Sequence, residues 1–295
     1  MKNMLFILNP KAGKKKAPRY LMDVVSEFNR AGYEVRVFVT AKAGDAVQMA
    51  KAAAEEMDVI VCCGGDGTFN ETVSGVLASG AQVDIGYLPA GTTNDFATAI
   101  NIPTKMPKAI RAVAEGGATN YDVGQFDDRY FTYIASFGAF TRASYATSQK
   151  VKNVFGHAAY ILGGIREVAH IHKTHLRVVL DGETTLEDDY IFGAICNTTC
   201  MGGVLKLDPN RVDMCDGKFE VLLIRSPKNL AELTGCVRAL KNKKYNSDMI
   251  TFVSASQVEV FADETMDWTL DGEHATGQNV VIRNLHNAIR LIRKG

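Results

Sequence analysis

Val59-Ile60-Val61-Cys62-Cys63-Gly64-Gly65-Asp66-Gly67-Thr68-Phe69-Asn70-Glu71 is the stretch that decides how this chain folds. An apolar run of five residues ends abruptly in a glycine-rich turn, and helix-compatible sequence follows. Such a run, closed by a turn signal, reads as a buried strand of a parallel sheet. Gly64, Gly65 and Gly67 supply backbone that can take positive φ and come close to a ligand. Their amides, with the N-terminal end of the next helix, form a natural seat for phosphate oxygens. Asp66 sets a carboxylate among those amides, where an anion is stable only beside a metal, a hydroxyl or another hydrogen-bond donor. Taken alone, the same residues also describe an ordinary tight strand-to-helix connection.

Two other segments repeat the arrangement. Leu5-Phe6-Ile7-Leu8 runs into Asn9-Pro10-Lys11-Ala12-Gly13, and Ile85-Gly86-Tyr87-Leu88 runs into Pro89-Ala90-Gly91-Thr92-Thr93-Asn94-Asp95. In an open α/β sheet the loops leaving the carboxyl ends of the strands gather along one edge, where ligands bind. Three such loops, rich in Gly, Thr and Asn, describe a nucleotide cleft better than any one of them does. Neither common phosphate fingerprint is present: there is no Gly-x-x-x-x-Gly-Lys-Ser/Thr, and no Gly-x-Gly-x-x-Gly follows the first strand.

The trio Asn9-Pro10-x-x-Gly13, Gly64-Gly65-Asp66-Gly67-Thr68-x-Asn70-Glu71 and Pro89-x-Gly91-Thr92-x-Asn94-Asp95 resembles the catalytic domain of the diacylglycerol kinases. More narrowly it is similar to the soluble bacterial lipid kinases of that family, with sphingosine and ceramide kinases as relatives. Its Gly-Gly-Asp-Gly-Thr core is shared with NAD kinases and phosphofructokinases, so the three loops together carry the resemblance. What the resemblance implies is an ATP site on Asn9, Pro10, Lys11, Ala12, Gly13, Thr40, Gly64, Gly65, Asp66, Gly67, Thr68, Asn70, Glu71, Gly91, Thr92 and Asn94. Mg²⁺ would bridge the β- and γ-phosphates near Asp66.

A chain of 295 residues is natural for two domains and can bury a substantial core. Its 33 basic and 33 acidic residues cancel, which argues against nucleic acid as a main partner and leaves any attraction to an anionic membrane local. No apolar run approaches the ~20 residues of a membrane span, and no signal-peptide core opens the chain. The six cysteines include the adjacent pair Cys62-Cys63 inside a predicted buried strand, a pattern of a reducing compartment and not of a disulfide framework. The expectation is a cytoplasmic protein that visits the inner face of the membrane transiently.

Strands at 4–8, 35–40, 59–63 and 85–88 alternate with helices at 20–31, 45–54, 69–77 and 108–115. Repeated βα units of this kind imply a parallel sheet covered on both faces. After about residue 119 the character changes. Asp127-Asp128 and Asp181-Gly182 each separate two strand-like runs, as hairpin turns do. Short β-rich segments follow at 190–196, 219–224, 257–261, 266–270 and 280–283, with helices only at about 157–169 and 230–240. The fold class is therefore α/β: an N-terminal three-layer nucleotide-binding domain over 1–122, then a mostly antiparallel β-sandwich over 123–285. By the resemblance the last strand returns to complete the first domain with 286–295, and Ala288-Ile289-Arg290-Leu291-Ile292 suits that role.

Two acidic segments of the second domain complete the reading. Asp213-Met214-Cys215-Asp216-Gly217-Lys218 places two carboxylates three apart ahead of a strand, which by itself is equally a solvated loop. The resemblance implies a structural Mg²⁺ there, held by Asp213, Asp216 and the carbonyl of Lys218, and all-oxygen ligation suits that hard cation. Pro209-Asn210-Arg211 departs from the family's Pro-x-Ala, which leaves open whether the loop holds the metal. Asp271-Gly272-Glu273 is, by composition, also an ordinary hairpin turn. The resemblance makes Glu273 the acceptor of the hydroxyl proton, with Asp271 a competitor for base or metal partner. Asn197-Thr198-Thr199-Cys200-Met201-Gly202-Gly203 resembles the family's acceptor-side turn, with Val204 in place of a third glycine. His170, His172 and His175 with Cys196, Cys200 and Cys215 fit no zinc spacing, and Lys14-Lys15-Lys16 reads as a solvated face or an aid to anion binding.

The expected activity is ATP-dependent transfer of a phosphoryl group to a lipid hydroxyl, diacylglycerol giving phosphatidic acid, by a protein that is a monomer or a homodimer. Other acceptors stay open: a sphingoid base, another glycerolipid or NAD. So does a nucleotide-sensing regulator without turnover.

Overall fold

The computed structural model of the chain describes residues 1–15, 17–138, 172–201, 205–245 and 247–294. The chain divides into two compact units, Met1–Val123 with His286–Gly295, and Gly124–Leu285.

The first unit alternates strands and helices: β1 (Lys2–Leu8), α1 (Ala12–Lys15), α2 (Leu21–Arg30), β2 (Tyr33–Val39), α3 (Asp45–Ala53), β3 (Val59–Gly64), α4 (Asp66–Ser79), β4 (Asp84–Pro89), α5 (Asp95–Ala99) and α6 (Met106–Ala114). β1 pairs in parallel with both β2 and β3, and β3 with β4. The chain thus leaves β1 toward one side for β2 and returns on the other side for β3. That reversal is the topological switch point at which open α/β sheets bind ligands. Arg290 and Leu291 add a parallel pairing on the outer side of β4, at Asp84 and Ile85.

Helical periodicity accounts for the layers. Val24 and Phe28 of α2 are buried with Ala109, Ile110 and Val113 of α6 against Met4, Phe6, Leu8, Val59 and Val61. On α4, Phe69, Val73 and Val76 are buried, and Phe69 stacks on Tyr87 and on Phe96 with ring centroids 4.6 Å apart in each pair. Each such buried aromatic contributes about 1.5–3 kcal/mol through burial. α3 comes so close to α4 that a Cβ on Gly75 would stand 2.4 Å from the Val47 carbonyl oxygen. Cys62 and Cys63 are free, buried thiols that burial pushes up to about 12, so they serve as small apolar residues of the strand.

Two details differ from the periodicity. α4 starts at Asp66 and not at 69, because Gly65 is extended and the Asp66-Gly67-Thr68 segment is already the first helical turn. α1 and α5 have only four and five residues, too few to show a period, and were not expected.

The second unit is built from β5 (Gly117–Phe126), β6 (Arg129–Phe131), β7 (Ile134–Gly138), β8 (Thr174–Leu180), β9 (Thr184–Cys196), β10 (Cys200–Met201), β11 (Leu205–Lys206), β12 (Phe219–Arg225), α7 (Leu230–Lys241), β13 (Ile250–Ala255), β14 (Gln257–Leu270) and β15 (Glu273–Arg293). β5 begins and β15 ends in the first unit. The pairings within the second unit are antiparallel, along β13-β12-β9-β7-β14-β15, with β8 against β9 and β14. Trp268 anchors its core, with Phe126 and Phe137 edge-on to the indole at 5.0 and 4.9 Å. The expected strands 257–261 and 266–270 are one strand, β14, interrupted by an irregularity between Phe261 and Met266. Both expected hairpins form, with Asp127, Asp181 and Gly182 at positive φ. The helix expected at 157–169 lies outside the described residues.

Candidate active site

The loops after β1, β3 and β4 are joined in the first unit by a small set of contacts. Asn9 donates through Nδ2 to Thr68 Oγ1 at 2.9 Å, bridging the two sides of the switch point, and its Oδ1 accepts from the Lys11 amide at 3.0 Å. The Gly64 carbonyl accepts from the amides of Ala90 and Gly91 at 2.7 and 3.1 Å. Asn94, at φ 52°, closes the third loop: its Oδ1 accepts from the Gly91 amide and its Nδ2 donates to the Gly91 carbonyl. Lys11 reaches the loop after β2 through Nζ, which donates to the Ala41 carbonyl at 3.3 Å. Thr40 there is buried, and its amide donates to the Leu8 carbonyl.

The positive φ that Gly64, Gly65 and Gly67 could adopt is not what the structure uses. None of Gly64, Gly65 and Gly67 has positive φ; among the phosphate-loop glycines only Gly13 does, at 53°. The requirement at Gly64 and Gly91 is room. A Cβ on Gly64 would stand 2.4 Å from the Thr68 side chain, and one on Gly91 would stand 2.6 Å from Gly65 Cα. Gly13 faces the Ala90 carbonyl oxygen so closely that no side chain fits. Gly65 is the exception, with its nearest obstacle, Gly91 Cα, at 3.4 Å.

Asp66 is answered by donors. Its carboxylate accepts from the amides of Asp95 and Phe96 at 3.2 and 3.3 Å, which occupies the N-terminus of α5. The N-terminus of α4, by contrast, has no side-chain cap. Glu71 accepts from the Gly44 amide at 2.9 Å and so fixes the entry to α3. Asn70 lies on α4 beside Ser74, Thr92 is exposed, Pro10 is half-buried in the first loop, and Ala12 is half-buried at the start of α1. Lys14 and Lys15 belong to α1, and Lys16 falls outside the described residues.

In the second unit, Asp271-Gly272 is a two-residue hairpin between β14 and β15, with φ of 49° and 87° and Leu270 paired to Glu273. Positive φ at both positions is the type I′ geometry that an Asp-Gly pair favours. The Asp271 side chain nevertheless turns inward. It is buried and accepts from the amides of Thr132, Tyr133 and Ile134 and from the Thr132 hydroxyl. Burial pushes its pKa above the ordinary carboxylate range, and these donors pull against that shift. Glu273 is exposed and faces Arg129, with Nη2 and Oε2 4.0 Å apart. Arg129 is a neighbour that sequence reasoning missed, since nothing in its own surroundings marks it.

Because four donors converge on Asp271, Asp271→Asn turns an amide toward a group that can only donate. A buried donor left unpaired costs about 1–3 kcal/mol, which lowers Tm by several degrees in a unit of this size. Calorimetric melting of the variant checks this; an unchanged Tm would show that the carboxylate is not a structural tie.

The 213–218 loop is turned by its own carboxylates. Asp213 Oδ1 accepts from the Cys215 amide at 3.0 Å, Asp216 Oδ1 from the Lys218 amide at 2.9 Å, and Gly217 has φ 79°. Among the described residues no three His, Cys, Asp or Glu side chains converge as metal ligands. A cation here would draw on two carboxylates, a backbone carbonyl and water, a hard-oxygen set that fits Mg²⁺. Beneath the loop, on β12, lies Glu220, which is 1% exposed. Burial, then the charge of Asp216, push its pKa up to about 8. Glu220 was missed as well, although a lone acid inside Phe-Glu-Val-Leu-Leu-Ile is a signal that could have found it. Gly202, Gly203 and Val204 of the expected acceptor turn, and His170, lie outside the described residues.

A parallel sheet whose loops meet at its switch point, followed by an antiparallel β unit, is the two-part α/β architecture of the NAD kinase and diacylglycerol kinase type. Residues 3–126 match the diacylglycerol kinase catalytic domain, and residues 134–293 match the YegS C-terminal NAD kinase beta sandwich-like domain. The chain belongs to the diacylglycerol kinase family and is an enzyme of it. It is 34% identical to a diacylglycerol kinase of Bacillus subtilis over 295 residues, covering 99% of this chain and 96% of the relative. A diacylglycerol kinase of Staphylococcus carnosus is 32% identical over 276 residues, 92% of this chain and 89% of that one. Among solved structures, a diacylglycerol kinase from Bacillus anthracis superposes with TM-score 0.78 at 21% identity, covering 99% of this chain and 97% of that one. An NAD kinase from Archaeoglobus fulgidus in complex with ATP shares the fold more distantly, with TM-score 0.51 at 12% identity over 99% of this chain and 93% of its own. No described helix is long and apolar enough to cross a membrane.

Proposed function

We propose that this enzyme transfers the γ-phosphate of ATP to a lipid hydroxyl, with diacylglycerol as the acceptor and phosphatidic acid as the product. The observation that carries the nucleotide half is the N-terminus of α4, whose N-cap Gly65 carries no side chain, lying so close to Gly91 that the Gly65 Cα leaves no room for a side chain there. Helix N-termini bordered by such backbone take phosphate oxygens. In this reading residues 9–13 and 64–68, Asn70, Glu71, Gly91, Thr92 and Asn94, with Thr40, cradle ATP. Asp66 orients α5 and would help hold the metal that accompanies the nucleotide, which would supply positive charge against the phosphates.

Phosphoryl transfer to an alcohol asks little of the protein beyond positioning and removal of one proton. Glu273 takes the hydroxyl proton in this proposal, because its carboxylate is exposed at the start of β15 while that of Asp271 is already bound by four donors. Asp271 then holds the turn from which Glu273 projects, and Asp213, Asp216 and the Lys218 carbonyl hold a structural Mg²⁺. The units take the roles first assigned, nucleotide binding for 1–122 with 286–295, and acceptor and metal binding for 123–285. The relatives' shared name supports diacylglycerol over the other acceptors. Since such a lipid lives in a bilayer, the protein meets the membrane transiently.

An acceptor panel tests the proposal. Purified protein with labelled ATP and Mg²⁺ is offered diacylglycerol, a sphingoid base, another glycerolipid and NAD, and the products are separated. Label is expected in phosphatidic acid. Label in NADP, or in the sphingoid base alone, would replace the acceptor named here, and no labelled product from any of them would favour a regulator.

A further inference from the structure

Glu220 occupies a position that core packing does not explain. Along β12, Phe219, Val221 and Leu223 turn into the main core of the unit, which places Glu220 on the other face. There it is flanked in register by Cys196 of β9 and Ser254 of β13. The next row on that face pairs Leu222 with Phe252, and the Arg211 guanidinium lies 4.9 Å from the Phe252 ring centroid. The segment that leads into the 213–218 loop therefore covers the face on which Glu220 sits. The carboxylate meets Ser254 Oγ only at 3.5 Å through Oε1, and its Oε2 has no hydrogen-bond partner among the described residues. The charges that act on it are those of Asp216 and Asp213, both of its own sign. Lys218, the adjacent cation, acts instead on Asp181.

A buried carboxyl oxygen without a partner, below a loop that carries two exposed carboxylates, leaves an acceptor position open to a donor from that loop's own shell. We infer that Glu220 is a positioning residue of the 213–218 cation site, and that its Oε2 accepts a hydrogen bond from a water in the first shell of Mg²⁺. This rests on the reading of Asp213, Asp216 and the Lys218 carbonyl as ligands. A water-mediated role agrees with the way Mg²⁺ retains several of its waters. Outer groups that bind a ligand water orient the shell and hold the cation more tightly, and removing one typically weakens metal affinity about 10–100-fold.

The test uses the whole chain without nucleotide, so that no Mg²⁺ enters with ATP. Calorimetric titration with Mg²⁺ and melting with and without EDTA are run on wild type, Glu220→Gln, Glu220→Asp and Asp216→Ala. Glu220→Gln keeps shape and can still hydrogen-bond Ser254. It is expected to weaken Mg²⁺ binding about 10–100-fold, to shrink the rise in Tm that Mg²⁺ gives, and to melt in EDTA no lower than wild type. Glu220→Asp keeps the charge at a shorter reach and should fall between the two; it stands in for the amide variant if that variant does not fold. A Glu220 variant whose Mg²⁺ titration superimposes on wild type, while Asp216→Ala loses the metal, would overturn the role of Glu220 and leave the loop site standing. A wild-type chain with neither heat nor a Tm shift on adding Mg²⁺ would remove the site itself, and the inference with it.

Discussion

Glu273→Gln lowers kcat with diacylglycerol by about 10²–10⁴-fold, the usual contribution of a positioned general base, and leaves ATP affinity at the wild-type value. The amide keeps the shape of the side chain and part of its approach to Arg129, so packing changes little; what is lost is the ability to take a proton. Steady-state kinetics over a range of lipid and ATP concentrations reads both quantities. Asp271→Asn serves as the companion variant. Its main effect is on Tm, because its carboxylate ties residues 132–134 to the hairpin. If Asp271→Asn keeps its melting temperature and loses turnover while Glu273→Gln stays active, the proton goes to Asp271. If both stay active, the Asp-Gly-Glu segment is a turn and nothing more.

The second large effect is on the nucleotide, and the structure separates two glycines that the motif treats alike. Gly65→Ala introduces a Cβ 3.4 Å from Gly91 Cα, an ordinary contact, at a residue whose φ is −90°. The fold should accept it with Tm unchanged. A methyl group beside the phosphates should nevertheless weaken ATP binding about tenfold to a hundredfold, the range expected from roughly 1–3 kcal/mol of crowding. Gly91→Ala instead drives a Cβ to 2.6 Å from backbone, and should lower both Tm and ATP affinity. Calorimetry of ATP binding beside thermal melts distinguishes the two. Wild-type affinity in Gly65→Ala would mean that the phosphates do not approach that residue.

How much of this could be read from the chain depended on the range of the interaction concerned. The βα alternation and the second unit's antiparallel hairpins were legible because apolar period and turn residues are local. Leu21, Val24, Val25 and Phe28 announce α2, and Asp181-Gly182 announces its turn. The gathering of the three loops was legible because loops leaving the carboxyl ends of parallel strands meet along one edge. Contacts between distant residues were not. Nothing near Asp66 says that its carboxylate meets the amides of Asp95 and Phe96, and nothing near Glu71 points to Gly44. The glycines were read as free to take positive φ and to come close to a ligand, because composition reports conformational freedom. The actual need for Gly64 and Gly91 is the space taken by Thr68 and Gly65, which only the assembled loops reveal. Asp271-Gly272-Glu273 showed why two readings of one segment need not compete: the backbone is an ordinary type I′ turn, and its first side chain is a buried tie. Five-residue α5 and the lone acid Glu220 escaped because neither carries a period.

The most direct test of the central claim is a crystal structure of the full chain with Mg²⁺ and a non-hydrolysable ATP analogue. The account predicts the β- and γ-phosphates at the N-terminus of α4, within hydrogen-bond reach of backbone amides in the 64–68 turn and bordered by Gly13 and Gly91. A nucleotide bound elsewhere, or one whose phosphates touch none of the loops after β1, β3 and β4, would contradict it.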